Sequence, residues 1–275
     1  MIKDLIVNLG LGAQDPAGDY AISLAEIFEA HVLGIAVSYE PVIPGTVMGG
    51  IPPEVIESQR VESDKKARAA VARFEQASKR TGVSAETRTI STSISGAADE
   101  IGRLGRRFDL IVVGQPNRQK SLPDEVVDEG VLFASGRPVI FVPFIHKGDA
   151  KLGRIMVCWD GSRTAARAIA DAMPILKKAK QVEIVIISDK PGKTDEVPGA
   201  DLGQHLARHG LKIDVKRITS PDTDVPSTIL SYAADSSADV IVMGGYGHSR
   251  LREFVLGGAT RGLLEAMTVP VLMSH

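Results

Sequence analysis

Two periods of hydrophobic and polar positions alternate along the chain. Short runs of apolar and β-branched residues, such as Leu5-Ile-Val7, Leu110-Ile-Val-Val113 and Val240-Ile-Val-Met243, read as strands buried on both faces. Between them lie stretches whose apolar residues recur three and four apart, the mark of amphipathic helices. Ala17, Ala21, Leu24 and Phe28 form one such stripe, and Asp15 followed by Pro16 predicts where its helix starts. Ala165, Ile169, Ala172 and Leu176 form another, with Pro174 predicting a kink near its end.

In order, the first half predicts strands at 5–7, 32–37, 86–90, 110–113 and 139–142. Helices fall between them: from Pro16, over 53–80 with Gly82 as the stop, over 97–107, and from Asp124. The second half predicts strands at 155–158, 182–187, 213–218, 239–243 and 269–273. Its helices follow Asp160-Gly161-Ser162, span 201–208 with Gly210 as the stop, span 226–234, and begin near Gly258. Strands alternating with helices in this way make an α/β chain, a doubly wound Rossmann-like sheet with right-handed crossovers and helices on both faces.

The halves repeat each other. Leu5-Ile-Val7 matches Ile155-Met-Val157 at an offset of 150, and Asp109-Leu-Ile-Val-Val-Gly114 matches Asp239-Val-Ile-Val-Met-Gly244 at 130. Gly136-Arg-Pro138-Val-Ile-Phe matches Thr268-Val-Pro270-Val-Leu-Met at 132. The chain therefore reads as a tandem duplication, with domains at 1–147 and 148–275 joined by the polar stretch His146-Lys-Gly-Asp-Ala150. The extra length of the first half includes residues 40–51, whose Pro41, Pro44, Gly45, Gly49 and Gly50 are loop chemistry.

Composition narrows the classes of function. A chain of 275 residues with 44% hydrophobic and 24% charged residues is a soluble globular protein long enough for two domains. A formal net charge of −2 and a pI near 6.3 leave no electrostatic footprint for nucleic acid or an anionic membrane. No apolar run spans a bilayer, Met1-Ile-Lys-Asp-Leu-Ile-Val enters a strand rather than a signal peptide, and the single Cys158 fits a reducing compartment. The expected location is cytoplasmic.

The chemistry concentrates near the C-terminus. The strand ending at Gly244 opens into Gly-x-x-Gly247-x9-Gly257-Gly258, and a helix follows from Ala259. Glycines admit backbone N–H groups close to an anion, and a helix N-terminus adds its positive dipole end, so the stretch reads as a phosphate cradle. After the first strand of the same half, Asp160 can accept hydrogen bonds from a ribose or an adenine amino group, with helix capping in Asp-Gly-Ser as its plainer role. Ile187, at the end of the second strand, can offer backbone groups to an adenine edge.

This spacing after a hydrophobic strand resembles the nucleotide-binding signature of the universal stress protein family, in its tandem two-domain form. The chain departs from the pattern in one place: Gly258 stands where the family has a small hydroxyl residue, with Thr260 two positions on. The resemblance implies a five-stranded sheet per domain and adenine nucleotide contacts at Asp160, Gly161, Ile187, Met243, Gly244, Gly247, Gly257, Gly258, Ala259 and Thr260. It also implies ATP or AMP as the ligand, with Mg as a companion ion, and a stress-linked regulatory role. The fifth strands of the two halves are implied to pair, making an intramolecular pseudo-dimer with further homodimerisation through other surfaces. Pro270 removes one N–H, so that pairing should run through the residues after it.

The first half lacks the equipment. Gly114-Gln-Pro-Asn117 replaces Gly244-Gly-Tyr-Gly247, Glu125-Val126 falls opposite Gly257-Gly258, and Gly10 stands for Asp160. Gly10-Leu-Gly12 has no third glycine at the dinucleotide spacing, and no Walker A sequence is present. His205 and His209 are four apart on a helix, a spacing that can hold zinc, but neither a Glu nor a third ligand accompanies them. No catalytic or metal residues are assigned, and at most a slow ATP hydrolysis is expected. The alternative from another class is an interaction or scaffold protein that no longer binds nucleotide.

Overall fold

The computed structural model describes residues 1–41, 52–116, 124–188, 199–219, 224–246 and 259–275. The first half contributes β1 (Asp4–Asn8), α1 (Pro16–Phe28), β2 (His31–Tyr39), α2 (Pro53–Thr81), β3 (Ala85–Thr92), α3 (Ile94–Gly105), β4 (Leu110–Gly114), α4 (Asp124–Ser135) and β5 (Val139–Val142). The second contributes β6 (Arg154–Cys158), α5 (Arg163–Leu176), β7 (Gln181–Ser188), α6 (Ala200–Arg208), β8 (Ile213–Thr219), α7 (Val225–Asp235), β9 (Val240–Gly244), α8 (Ala259–Ala266) and β10 (Val271–Ser274).

Local chemistry accounts for the helix boundaries. Asp15 Oδ1 accepts from Gly18 N at 3.0 Å, with Pro16 in the first turn of α1. Ser93 caps α3 and Asp224 caps α7 through the same bond, from Gly96 N at 3.2 Å and from Ser227 N at 3.2 Å. The long α2 stops where Gly82 turns left-handed at φ 74° and returns its N–H to Ser78 O. α5 runs through Pro174 and ends at Leu176, and all four residues of its apolar stripe are buried.

By contact density the chain falls into two compact units, Met1–Ser135 with Lys147–Asp149, and Gly136–His146 with Ala150–His275. In the first unit the strand order is β3-β2-β1-β4, all parallel. In the second it is β5-β10-β9-β6-β7-β8, parallel except that β5 runs antiparallel to β10. β5 is drawn from the first half of the sequence, yet its pairing places it in the second unit: Phe141, Ile140 and Val139 oppose Val271, Leu272 and Met273. The fifth strands therefore pair, and they do so through the residues after Pro270. β4, β5 and β10 carry runs of four buried residues, which requires apolar cover on both sheet faces.

One device recurs in both halves. Asp109, just before β4, accepts the backbone N–H groups of Lys3 and Asp4 at 2.7 and 3.1 Å and donates its own N–H to Asp4 O at 2.9 Å. Asp239, just before β9, accepts from Arg154 N at 2.8 Å and donates to Arg154 O at 2.8 Å. Each carboxylate pins the start of its half's first strand to the start of its fourth, so the register at the amino ends of the strands is set by charge-assisted bonds.

Because β5 covers the edge of β10, a fragment of residues 148–275 loses that cover and exposes a run of four apolar or small buried residues. Light scattering should show this fragment self-associating where the full chain does not through that edge. A strictly monomeric, soluble fragment would refute the edge argument.

Candidate functional site

In an open parallel sheet the carboxyl ends of adjacent strands border one crevice. In the second unit these are the ends of β6, β7 and β9.

Past β6 the chain turns sharply. Asp160 is exposed, its Oδ1 accepts from Ser162 N at 2.9 Å, and Gly161 between them takes φ 77°, a left-handed conformation that favours glycine. The helix cap is Ser162, whose Oγ accepts from Ala165 N at 3.1 Å and lies 3.2 Å from Thr164 Oγ1. The capping role read for Asp160 thus belongs to Ser162, and Asp160 sits two residues earlier, in the loop after β6.

Gly244 closes β9 beside Ser274 of β10. A Cβ there would lie 2.5 Å from both Ala165 N and Thr164 Oγ1, so the end of β9 touches the first turn of α5 and only glycine fits. The contact brings the positive dipole end of α5, whose Ala165 N–H is already capped by Ser162, to the strand end. Met243 is buried next to Met273, and Ile187 is half-buried beside Ile218.

The chain then leaves the sheet under tight control. Gly245 N donates to Ser274 O at 2.9 Å, and Gly245 O lies 3.2 Å from His275 Nδ1. Tyr246 adopts φ 50°, and its N–H donates to Thr260 Oγ1 at 3.2 Å. Thr260 is buried in the first turn of α8, which begins at Ala259. The hydroxyl of Thr260 therefore joins the departing strand to the arriving helix at the base of the glycine-rich stretch. Gly247, Gly257 and Gly258 lie outside the described residues.

Three of these participants were not singled out from the sequence. Thr164 and Ser162 were signalled by Ser-x-Thr just before an apolar stripe, a helix-start pattern. His275 carried no signal, because its contact with Gly245 depends on where β10 delivers it.

Neighbouring groups are less reactive than their types suggest. Cys158 is only half-buried by surface, yet its sulfur is desolvated, which pushes the thiol up to about 12, with the negative charge of Asp160 adding to the rise. The rings of His205 and His209 meet edge to face with centroids 4.9 Å apart, and no group of three potential metal ligands occurs among the described residues.

The first unit presents different chemistry at the matching strand ends. Asn8, at the end of β1, donates from Nδ2 to Asp128 Oδ1 at 3.0 Å, and both side chains are buried. At the offset of 132 that aligns Pro138 with Pro270, Asp128 occupies the position of Thr260. A carboxylate stands where the second unit has a hydroxyl. In the loop after β1, Asp15 is buried and its carboxyl is pushed up to about 6, chiefly by desolvation. The N–H groups of Gly18 and Gly10 and the charge of Arg73 oppose the rise, and Asp19 adds to it.

Comparison with known proteins agrees with this architecture. The sequence pattern of the Universal stress protein family matches residues 151–275. A universal stress protein of Synechocystis sp. is 25% identical over 174 residues, covering 60% of this chain and 57% of its own length; the match thus spans little more than half of that relative. A solved universal stress protein from Archaeoglobus fulgidus shares the fold across 98% of this chain and 95% of its own, with a TM-score of 0.70 at 20% identity. A functionally unknown protein from Pseudomonas aeruginosa does so across 99% and 92%, with a TM-score of 0.60 at 16% identity. The fold is thus that of an α/β protein with a mostly parallel sheet. Residues 151–275 match the universal stress protein family, and the fold of the whole chain is shared with a solved universal stress protein.

The buried carboxyl of Asp15 makes a signed prediction. Its folded value, about 6, is above its ordinary value of 3.8, so between these the native state holds a proton that the unfolded chain has released, and stability falls as pH rises through that window. Below the window the group has no effect; above it the loss is at most about 3 kcal/mol. Asp15→Asn keeps an acceptor for Gly18 N. Urea midpoints from pH 4 to 7 should show the variant gaining on the wild type as pH rises, and a constant difference would contradict the assignment.

The raised thiol of Cys158 makes another. Iodoacetamide at pH 8 should alkylate it only after unfolding in urea; rapid labelling of the native protein, followed by mass spectrometry, would show an accessible thiolate instead.

Proposed function

We propose that the chain is a stress-linked regulatory protein that binds one adenine nucleotide, ATP or AMP, in its second unit. The observation that carries the reading is the base of the glycine-rich stretch. There the Thr260 hydroxyl holds the N–H of Tyr246, and Gly244, which has no room for a Cβ, packs against the N-terminus of α5. The N-terminus of α5 follows closely on the end of β6, α8 begins at Ala259 beyond the glycine-rich stretch, and helix N-termini favour anions.

In this reading the phosphates lie against the backbone N–H groups of Gly244, Gly247, Gly257, Gly258 and Ala259, with Thr260 fixing the geometry rather than acting alone. Asp160 and Gly161 face the ribose or the adenine amino group, Ile187 offers backbone polar groups to the adenine edge, and Met243 lines the strand end. Asp160 has one carboxylate oxygen engaged by Ser162 N, which orients it as an acceptor. A Mg ion can accompany the phosphates.

The reading assigns binding rather than catalysis. The thiol nearest the crevice is held protonated, and no paired carboxylates or base-activated hydroxyl stand beside it among the described residues. Hydrolysis of ATP is at most slow. With no helix among the described residues long and apolar enough to cross a membrane, and a composition without a basic patch, a cytoplasmic regulator acting through protein partners fits best. The β5–β10 pairing supplies within one chain the edge contact of a pseudo-dimer.

Denaturing the purified protein and resolving the supernatant by anion exchange should release an adenine nucleotide, and calorimetry on stripped protein should show ATP or AMP binding. Gly247→Val or Gly257→Glu should abolish that heat while leaving the circular dichroism spectrum unchanged. An extract without nucleotide, together with no calorimetric signal, would favour a nucleotide-independent interaction protein.

A further inference from the structure

The first unit carries an element that its partner half lacks. α2 has 29 residues, whereas α6, its counterpart, has nine. The two parts of α2 are held differently. Its later turns bury Ala67, Ala70, Phe74 and Ala77, and Gly34 of β2 leaves room for the Phe74 ring, which a Cβ would meet at 3.0 Å. Its earlier turns, residues 53–66, bury no side chain, and Val55 and Val61 are exposed. Apolar burial therefore anchors one end of the helix only.

What fastens the early turns is polar. Ser63 Oγ accepts from Tyr39 N at 2.7 Å, and Asp64 Oδ1 accepts from the buried Ser38 hydroxyl. Ser38 and Tyr39 are the last two residues of β2, and at the offset of 150 Ser38 matches Ser188, next to Ile187. From the anchored turns, Arg73 Nη2 donates to Gly10 O at 2.7 Å, and Gly10 matches Asp160 at the same offset. At two strand ends of the first unit, then, backbone groups that a bound molecule would need are taken by side chains of α2.

We infer that α2 is a built-in occupant of the first unit's crevice, with residues 53–66 acting as a releasable strap over the end of β2. The strap engages the end of β2 from within the chain: Tyr39 N donates to Ser63 Oγ, and that bond is broken when Ser63 lets go. Release is inexpensive. It breaks two side-chain bonds and moves a helical extension that covers no core, so it draws on the low-stability end of the fold and leaves the anchored turns in place. The inference concerns the first unit and stands whether or not the second unit takes a nucleotide.

Hydrogen exchange with mass spectrometry on the full chain tests it. In Ser63→Ala/Asp64→Ala, peptides covering 36–41 and 53–66 should exchange about tenfold faster than in the wild type, with 67–81 unchanged. Ser63→Thr, which keeps the hydroxyl, should retain wild-type exchange. Saturating ATP should leave the 36–41 peptide of the wild type unaltered. Unchanged exchange in the double variant, equal acceleration of 67–81, or ATP-dependent protection at 36–41 would each overturn the strap. Calorimetry on the same samples reports separately whether ATP binds at all, so a failure of nucleotide binding is not confused with a failure of the strap.

Discussion

The second unit's crevice depends on a side chain that is missing. At Gly244 a single methyl would collide with Ala165 N and Thr164 Oγ1 at 2.5 Å, and interiors packed at crystal density have no slack to absorb it. Because nothing is there, the first turn of α5 seats on the end of β9. Asp160, in the loop that feeds that helix, is then carried to the same crevice, and Ser162 satisfies the first orphan donors without using Asp160. Tyr246 can leave the strand in a left-handed conformation because Thr260 receives its N–H. Strand end, helix start and loop base are therefore one mutually dependent set.

The same frame with other residues gives the opposite chemistry. Position 260 is a hydroxyl and position 128, its counterpart, is a carboxylate bonded to Asn8. A carboxylate engaged by Asn8 differs in hydrogen-bonding capacity from a hydroxyl, which can both donate and accept. The substitution alone would separate the two crevices. The side chains of α2 at Gly10 and Tyr39 separate them further, by occupying backbone groups rather than by charge.

Much of this was legible in the sequence where the determining interactions are local. Strand runs, the Asp15-Pro16 start of α1 and the Gly82 stop of α2 follow from periods and capping chemistry within a few residues, and they fall where they were expected. The pairing of the fifth strands was implied by the family resemblance, and the structure has it. What was not legible depends on distance or on choice between equivalents. Asn8 and Asp128 are 120 residues apart, and each alone reads as an ordinary polar residue. Asp160 and Ser162 are equally good caps on paper, and the left-handed turn at Gly161 decides between them. Ser63 and Asp64 lie on a helix so polar that they read as solvated, and their partners are fixed only by how far α2 extends past the sheet.

The part of each half that did not diverge is also the part farthest from the crevice. Asp109 accepts two backbone N–H groups and Asp239 one at the amino ends of the strands, each pinning the first strand of its half to the fourth. A carboxylate that accepts backbone N–H groups fixes register, and in a parallel sheet a slip of one residue would turn every buried side chain to the opposite face. Register held at the amino ends leaves the carboxyl ends free to change, since loops there can be lengthened, recharged or covered without altering which residues pair. That division explains how one half can keep a glycine-rich strand exit while the other fills the matching space with Asp128 and α2, on sheets whose cores remain alike.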